Sequence, residues 1–175
     1  MPPSDVTVRR ARVPDAEALA RLARDTFAAA YDDVTEAEAA SYSREVLSVE
    51  RFLEVLKQPD ALVLLASTSP DRQIGYAQLR PTDPPGTVAG SRPVELMRLY
   101  LRPEVQGWGV GGVLVQEGLG WAVEQDHDVC WLKVWYLNSW AIGFYRKHGF
   151  RVVGREAYRA GGMDDVVLIM ERRLS

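Results

Sequence analysis

The sequence predicts an α+β fold: a mixed, mostly antiparallel sheet of about seven strands, with helices on both faces. Three observations carry this expectation. Amphipathic helical periodicity fills residues 15–56, ahead of a run of strand-length segments between 61 and 101 that favours hairpins over regular β-α alternation. Helix-length segments then separate the strands at 94–101, 129–136 and 150–158, and strands separated by a helix are expected to run parallel as crossovers. Finally, the turn Ala160-Gly161-Gly162 joins 150–158 to a last strand at 166–171.

Each element has a local reason. Val6 and Val8 alternate with Thr7 and Arg9, which marks the first strand at 6–11. Pro14 suits the first turn of a helix, where its missing N–H has no intrahelical partner to lose. Leu19, Leu22, Ala23 and Phe27 recur at three and four, so 15–31 forms an amphipathic helix. Thr35 followed by Glu38 is a capping box for a second helix running to Leu47, and Ser48 caps a short third one whose inner face is Phe52, Leu53 and Leu56. The apolar run from Ala61 ends in the turn cluster 67–71, and 74–79 is its hairpin partner across a loop of several residues. Residues 81–93 hold four prolines and two glycines and read as loop.

Composition bounds the function. The 175 residues are 47% hydrophobic and 26% charged, enough apolar surface to offset the entropy of ordering one domain, residues 1–175. A net charge of −3 gives no general attraction to nucleic acid or to an acidic membrane surface. A single cysteine, Cys130, offers neither a disulfide nor a metal framework, so no metal is expected. The longest purely apolar run, 61–66, is far below the ~20 residues of a membrane span, and MPPSDVTVRR lacks a signal peptide's apolar stretch. The expectation is a cytoplasmic protein, with a homodimer left open.

The segment Gly107-Trp108-Gly109-Val110-Gly111-Gly112 holds the densest chemistry. It satisfies the dinucleotide pattern G-x-G-x-x-G, but five residues separate it from the preceding strand, and the next strand ends in Tyr136-Leu137-Asn138 with no ribose-binding carboxylate. A bare turn needs one or two glycines, not four in six residues, each costing ~1 kcal/mol where it lies inside a helix. The reading Gln106-x-x-Gly109-x-Gly111, opening a helix after a strand, suits a pyrophosphate: glycines allow close approach, and the helix start offers free N–H groups.

In this order and spacing, Leu99-Tyr100-Leu101, Gln106 through Gly111, Asn138, Tyr145 and Gly149-Phe150 resemble the core of the GCN5-related N-acetyltransferase (GNAT) superfamily. The resemblance implies acetyl-CoA as co-substrate. Backbone N–H groups of Gly107, Trp108, Gly109, Val110, Gly111 and Gly112 would cradle its pyrophosphate. The main chain of Leu99, Tyr100 and Leu101, on a strand splayed from its neighbour, would pair with the pantetheine arm and offer an N–H to the thioester carbonyl. Asn138 would hydrogen-bond the arm, and Tyr145 would protonate the departing thiolate.

Acetyl transfer to an amine also calls for a base. Some members of the superfamily carry a glutamate five residues before the Asn; Lys133 stands there in this chain. Glu95 is the next candidate, with Glu95, Met97 and Leu99 on one side of their strand provided no bulge intervenes, and deprotonation by solvent is the alternative. His127, in a polar loop, and His148, favoured at a helix C-terminus as a cation, are poor catalytic candidates. Beyond the cofactor core, Asp25-Thr26-Phe27 with Tyr31, Glu95 with Arg98-Leu99-Tyr100, and 131–135 through Asn138 resemble the bacterial spermidine/spermine N-acetyltransferases of the Pai type. That likeness implies a small cationic amine as acceptor, a polyamine first, held by Phe27, Tyr31 and Trp135 near the acidic run Asp25, Asp32, Asp33, Glu36 and Glu38. A peptide or protein amine and a catalytically silent acyl-CoA-binding module are the rival readings.

Overall fold

The computed structural model describes residues 5–30, 35–160 and 163–174. The strands are β1 Thr7–Arg10, β2 Leu62–Ser69, β3 Arg72–Arg80, β4 Pro93–Leu101, β5 Val129–Trp135, β6 Arg151–Ala160 and β7 Met163–Arg173. The helices are α1 Ala16–Ala30, α2 Glu36–Val46, α3 Val49–Leu56, α4 Val110–Glu124 and α5 Ser139–Lys147. They build one seven-stranded sheet in the order β1-β2-β3-β4-β5-β7-β6. Every neighbour pair is antiparallel except β4 with β5.

The helix starts follow from the capping residues. The Thr35 hydroxyl accepts from the Glu38 N–H while the Glu38 carboxylate accepts from the Thr35 N–H, a complete capping box. Ser48 accepts from the Arg51 N–H at 3.3 Å. The sheet is covered on both faces. On one, α4 and α5 press Val110, Leu114, Val115, Leu119 and Ile142 onto the inward residues of β2 to β5. On the other, α1 to α3 bury Leu19, Leu22, Phe27, Tyr42 and Phe52 against Val63, Leu65 and Tyr76. Each large apolar side chain so buried stabilises the fold by ~1.5–3 kcal/mol.

Three expectations about pairing need correction. β1 and β2 run antiparallel, not as a parallel crossover. A single helix returns the chain to the end where its strand began; here three helices intervene, and the chain enters β2 from the opposite end. β6 does not pair with β5, because β7 lies between them. β7 buries Val167, Ile169 and Met170, which suits an interior strand, whereas β6 exposes Arg151, Val152 and Arg155 and takes the edge. The β2–β3 turn is also tighter than expected, since bulges let β2 continue through the polar residues 67–69. In addition, 103–105 form a short 3-10 turn within the segment between β4 and the glycines.

The second face is not continuous. Beyond the α1–α3 cluster lies a separate one, in which Val88 of the loop 81–93 covers Val129, Trp131, Val167 and Ile169. The loop is tied down by side chains of the sheet: Thr82 donates to Glu95, the Ala89 N–H to Glu171, and the Ser91 and Arg92 N–H groups to Asp128. Between the two apolar clusters the sheet presents Gln78, Arg80, Glu95, Arg98 and Lys133, and there a cavity opens.

Candidate active site

β4 and β5 pair only from Pro93↔Val129 to Glu95↔Trp131. Past that point they part, so the β5-facing main chain of residues 96–101 has no strand neighbour. A cavity of about 370 Å3 fills the opening, walled by residues 96–101, Val134, Asn138, Phe144 and Tyr145, with Gln106 and Gly111 at the helix end. The glycine loop closes that end. Gly107 and Gly109 have φ of +84° and +83°, a backbone region costly for other residues, and α4 begins at Val110. The N–H groups of Val110, Gly111 and Gly112, in the first turn of α4, have no intrahelical acceptor. Trp108 differs from the expectation for its neighbours: its N–H already donates to the Val105 carbonyl at 3.2 Å. A strand edge for an extended polar arm, and a helix start with positive-φ glycines for a pyrophosphate, together fit coenzyme A.

Tyr145 and Asn138 reach this cleft from α5. Tyr145 is half-buried, packs edge-on against Phe144 and Phe150 at 5.3 and 5.7 Å between ring centroids, and lines the cleft while touching the main core. The aromatic-core and cleft-lining descriptions of Tyr145 therefore both hold. Asn138 is the N-cap of α5; its side-chain oxygen accepts from the Ala141 N–H at 2.9 Å, leaving the amide NH2 as the group to offer a ligand.

The second cavity, of about 560 Å3, opens on the other face of the sheet. Both cavities are lined by Met97, Arg98, Tyr100, Lys133 and Trp135, so they meet where β4 and β5 separate. Met97 explains how one strand serves both. β3 pairs Gln78 with Arg98 and Leu79 with Leu96, which leaves Met97 as an unpaired bulge residue. The bulge reverses the alternation. Val94 and Leu96 face α4 together with Leu99 and Leu101, while Glu95 and Tyr100 face α1–α3. Glu95 and Leu99 thus lie on opposite sides, contrary to the expectation for an unbulged strand.

Glu95 is 7% exposed and its Oε2 accepts from the Thr82 hydroxyl at 2.7 Å. Burial pushes its carboxyl above the usual range, against the Thr82 hydrogen bond and the charges of Lys133, Arg80 and Arg98, which favour the ionised form. Phe27 lines the same cavity, stacked on Tyr42 at 4.3 Å, and Trp135 stands at the junction. Tyr31, Asp32 and Asp33 lie outside the described residues. Asp25 and Glu38 are committed elsewhere: Asp25 pairs with Arg102 at 3.1 Å, Glu38 holds the α2 cap, and neither lines the cavity, nor does Glu36. The residues that sequence reasoning missed here are Tyr42, Arg80 and Tyr158, whose elements meet only in the folded chain. His148 also departs from expectation. Burial and the nearby Arg172 lower its pKa, opposing the helix-end attraction for a cation.

Comparison with known proteins identifies the family. The family described as Acetyltransferase (GNAT) family matches residues 18–150. An N-acetyltransferase of Mycobacterium tuberculosis is 34% identical over 161 residues, covering 91% of this chain and 98% of that protein. A peptidyl-lysine N-acetyltransferase of Escherichia coli is 30% identical over 151 residues, 86% of this chain and 85% of that one. The crystal structure of the PaiA N-acetyltransferase of Thermoplasma acidophilum in complex with coenzyme A superposes with a TM-score of 0.77 at 28% identity, covering 96% of this chain and 98% of the other. The spermidine N(1)-acetyltransferase from the same organism is 28% identical over 151 residues, covering 84% of this chain and 89% of that one. Among the described residues no helix is long and apolar enough to cross a membrane. With a splayed strand pair, a glycine-started helix and these relatives, the chain belongs to the GNAT family and is an acetyl-CoA-dependent N-acetyltransferase.

Proposed function

We propose that this enzyme moves the acetyl group directly to a primary amine seated in the 560 Å3 cavity, without an acyl-enzyme. One observation carries the reading: the two cavities meet at Met97, Arg98, Tyr100, Lys133 and Trp135, so an acyl donor on one side and an amine on the other share a boundary. Acetyl-CoA supplies the acetyl group as an activated thioester. Glu95, raised by burial, takes the proton of the incoming amine, since a base with a pKa nearer neutrality accepts it more readily than an ordinary carboxylate. Tyr145, in the cofactor cleft, donates to the departing sulfur. The Gly107–Gly112 loop and the edge of β4 hold the cofactor, and Asn138 orients its arm.

The relatives act on spermidine and on peptidyl-lysine, and both acceptors present a primary amine. A polyamine acceptor has the support of that likeness and of Phe27 and Trp135 in the cavity wall; it loses the support of Asp25 and Glu38, which are engaged elsewhere. The test is CoA release from acetyl-CoA with a panel of spermidine, amino acids and lysyl peptides. Turnover with any of these amines supports transfer to a primary amine, and sequential rather than ping-pong kinetics supports the direct route. Tight acetyl-CoA binding with no release from the whole panel would leave only an acyl-CoA-binding module.

A further inference from the structure

Resting on the acetyl-transfer reading, we propose that the acceptor is a small amine carrying a carboxylate close to its nitrogen, an amino-acid-like molecule whose anion is held by Arg80 and Arg98. The cations of the cavity wall fall into two groups. Arg51 is paired with Glu54 at 3.1 Å, and Lys133 with Glu156 at 2.5 Å. Arg80 and Arg98 have no carboxylate within ion-pair distance among the described residues. Arg98 is fixed by neutral groups instead, donating to the Gln78 side-chain oxygen at 2.7 Å and to the Val46 carbonyl at 3.2 Å. That bracing aims a full positive charge without cancelling it. Arg80 goes further: its Nε is buried with no hydrogen-bond acceptor among the described residues. A buried guanidinium N–H without an acceptor is costly, and a planar anion is the acceptor that matches its fork.

Position narrows the class. Arg80 and Glu95 are register partners across β3 and β4, and Gln78 and Arg98 form the neighbouring pair towards Gly75. Side chains directly opposite on one face stand about 5 Å apart at Cβ, and diagonal neighbours about 7–8 Å. Arg80, Glu95 and Arg98 all line one cavity, so an amine offered to Glu95 brings a carboxylate close to its nitrogen to the side where both arginines stand. The cavity, of about 560 Å3, has room for such a molecule. A polycation would bring its further ammonium groups against the same two arginines. The other wall carboxylates, Glu45, Glu54 and Asp165, differ: Glu45 is exposed, Glu54 is paired with Arg51, and Asp165 already accepts from the Val166 N–H at 2.6 Å.

The test compares free amino acids with their carboxamides, alongside spermidine and a lysyl peptide, by CoA release. The carboxamide is the more readily deprotonated amine, so chemistry alone favours it, and a preference for the free acid reports carboxylate recognition. The expected result is a kcat/KM at least ~10-fold higher for the preferred free amino acid than for its carboxamide. Arg80→Gln is expected to bring that ratio close to one, and Arg80→Lys to restore part of it. Carboxamides or spermidine turned over as well as the free acids, or an unchanged ratio in Arg80→Gln, would overturn the carboxylate assignment while leaving acetyl transfer standing. No turnover of any amine in the panel would overturn the transfer reading and this one with it.

Discussion

Glu95 and Trp131 are the last residues to pair before β4 and β5 separate. The candidate base therefore stands at the vertex of the opening, on the face away from α4, while the cofactor cleft begins with the next residue of the same strand. The bulge at Met97 then turns Leu99 and Leu101 towards α4 and leaves Arg98 and Tyr100 along the boundary of the two cavities. A single irregularity in one strand thus turns its side chains towards two cavities that share a boundary.

Tyr145→Phe keeps the ring packing against Phe144 and Phe150 and removes the phenolic proton. Turnover is expected to fall ~10²–10⁴-fold with acetyl-CoA affinity nearly unchanged, measured by CoA release and by calorimetric titration. Wild-type turnover would assign Tyr145 to the core alone.

Glu95 gives a pH dependence of defined sign. Its carboxyl is raised, so the base form, and with it kcat/KM, appears only as pH climbs through a value above the ordinary carboxylate range. Glu95→Gln is expected to lower kcat/KM and to abolish that acid limb, and an unaltered profile would favour deprotonation by solvent.

The same burial makes Glu95 costly to the fold. A folded-state pKa above the unfolded one contributes relative stability that is complete below the unfolded value and is lost as pH rises through the folded value. Glu95→Gln should therefore be more stable than wild type at about pH 8 and lose that advantage near about pH 4. Denaturant titrations at the two pH values check it, and equal midpoints would show that ionised Glu95 is fully compensated by its neighbours.

Gly107 and Gly109 hold φ of +84° and +83°. Alanine at either position meets backbone strain of ~1–2 kcal/mol. At Gly107 there is no steric clash to add to it, since no atom lies within 4 Å of a built Cβ. Both variants are expected to lose acetyl-CoA affinity while keeping kcat at saturating cofactor. A lower kcat with unchanged affinity would place the loop outside the binding site.

Asp128 anchors the loop 81–93 through the Ser91 and Arg92 N–H groups at 2.6 and 2.9 Å, and these bonds lower its pKa to about 2. Its contribution is present above the ordinary carboxylate range and lost as pH falls through about 2. Asp128→Ala should speed hydrogen exchange at the Ser91 and Arg92 amides while β2 and β3 keep their protection. Unchanged exchange at those two amides would show that Val88 and the other anchors hold the loop unaided.

The sequence by itself determined the features that depend on a few neighbouring residues. Thr35 with Glu38, and Ser48, start their helices because a side-chain oxygen meets an N–H three residues on, whatever the rest of the chain does. The glycines before α4 mark their loop because only glycine adopts those dihedral angles cheaply. Tertiary structure alone decided the rest. Whether Glu95 shares a face with Leu99 depends on which β3 residue faces Met97, and β7 lies inside β6 because its apolar residues need covering on both faces. Asp25 is taken by Arg102, 77 residues away in sequence, a partnership no local pattern encodes. Capping and backbone preference act over one helical turn, whereas strand order, bulge position and charge pairing follow from surfaces that meet only when distant segments bury each other.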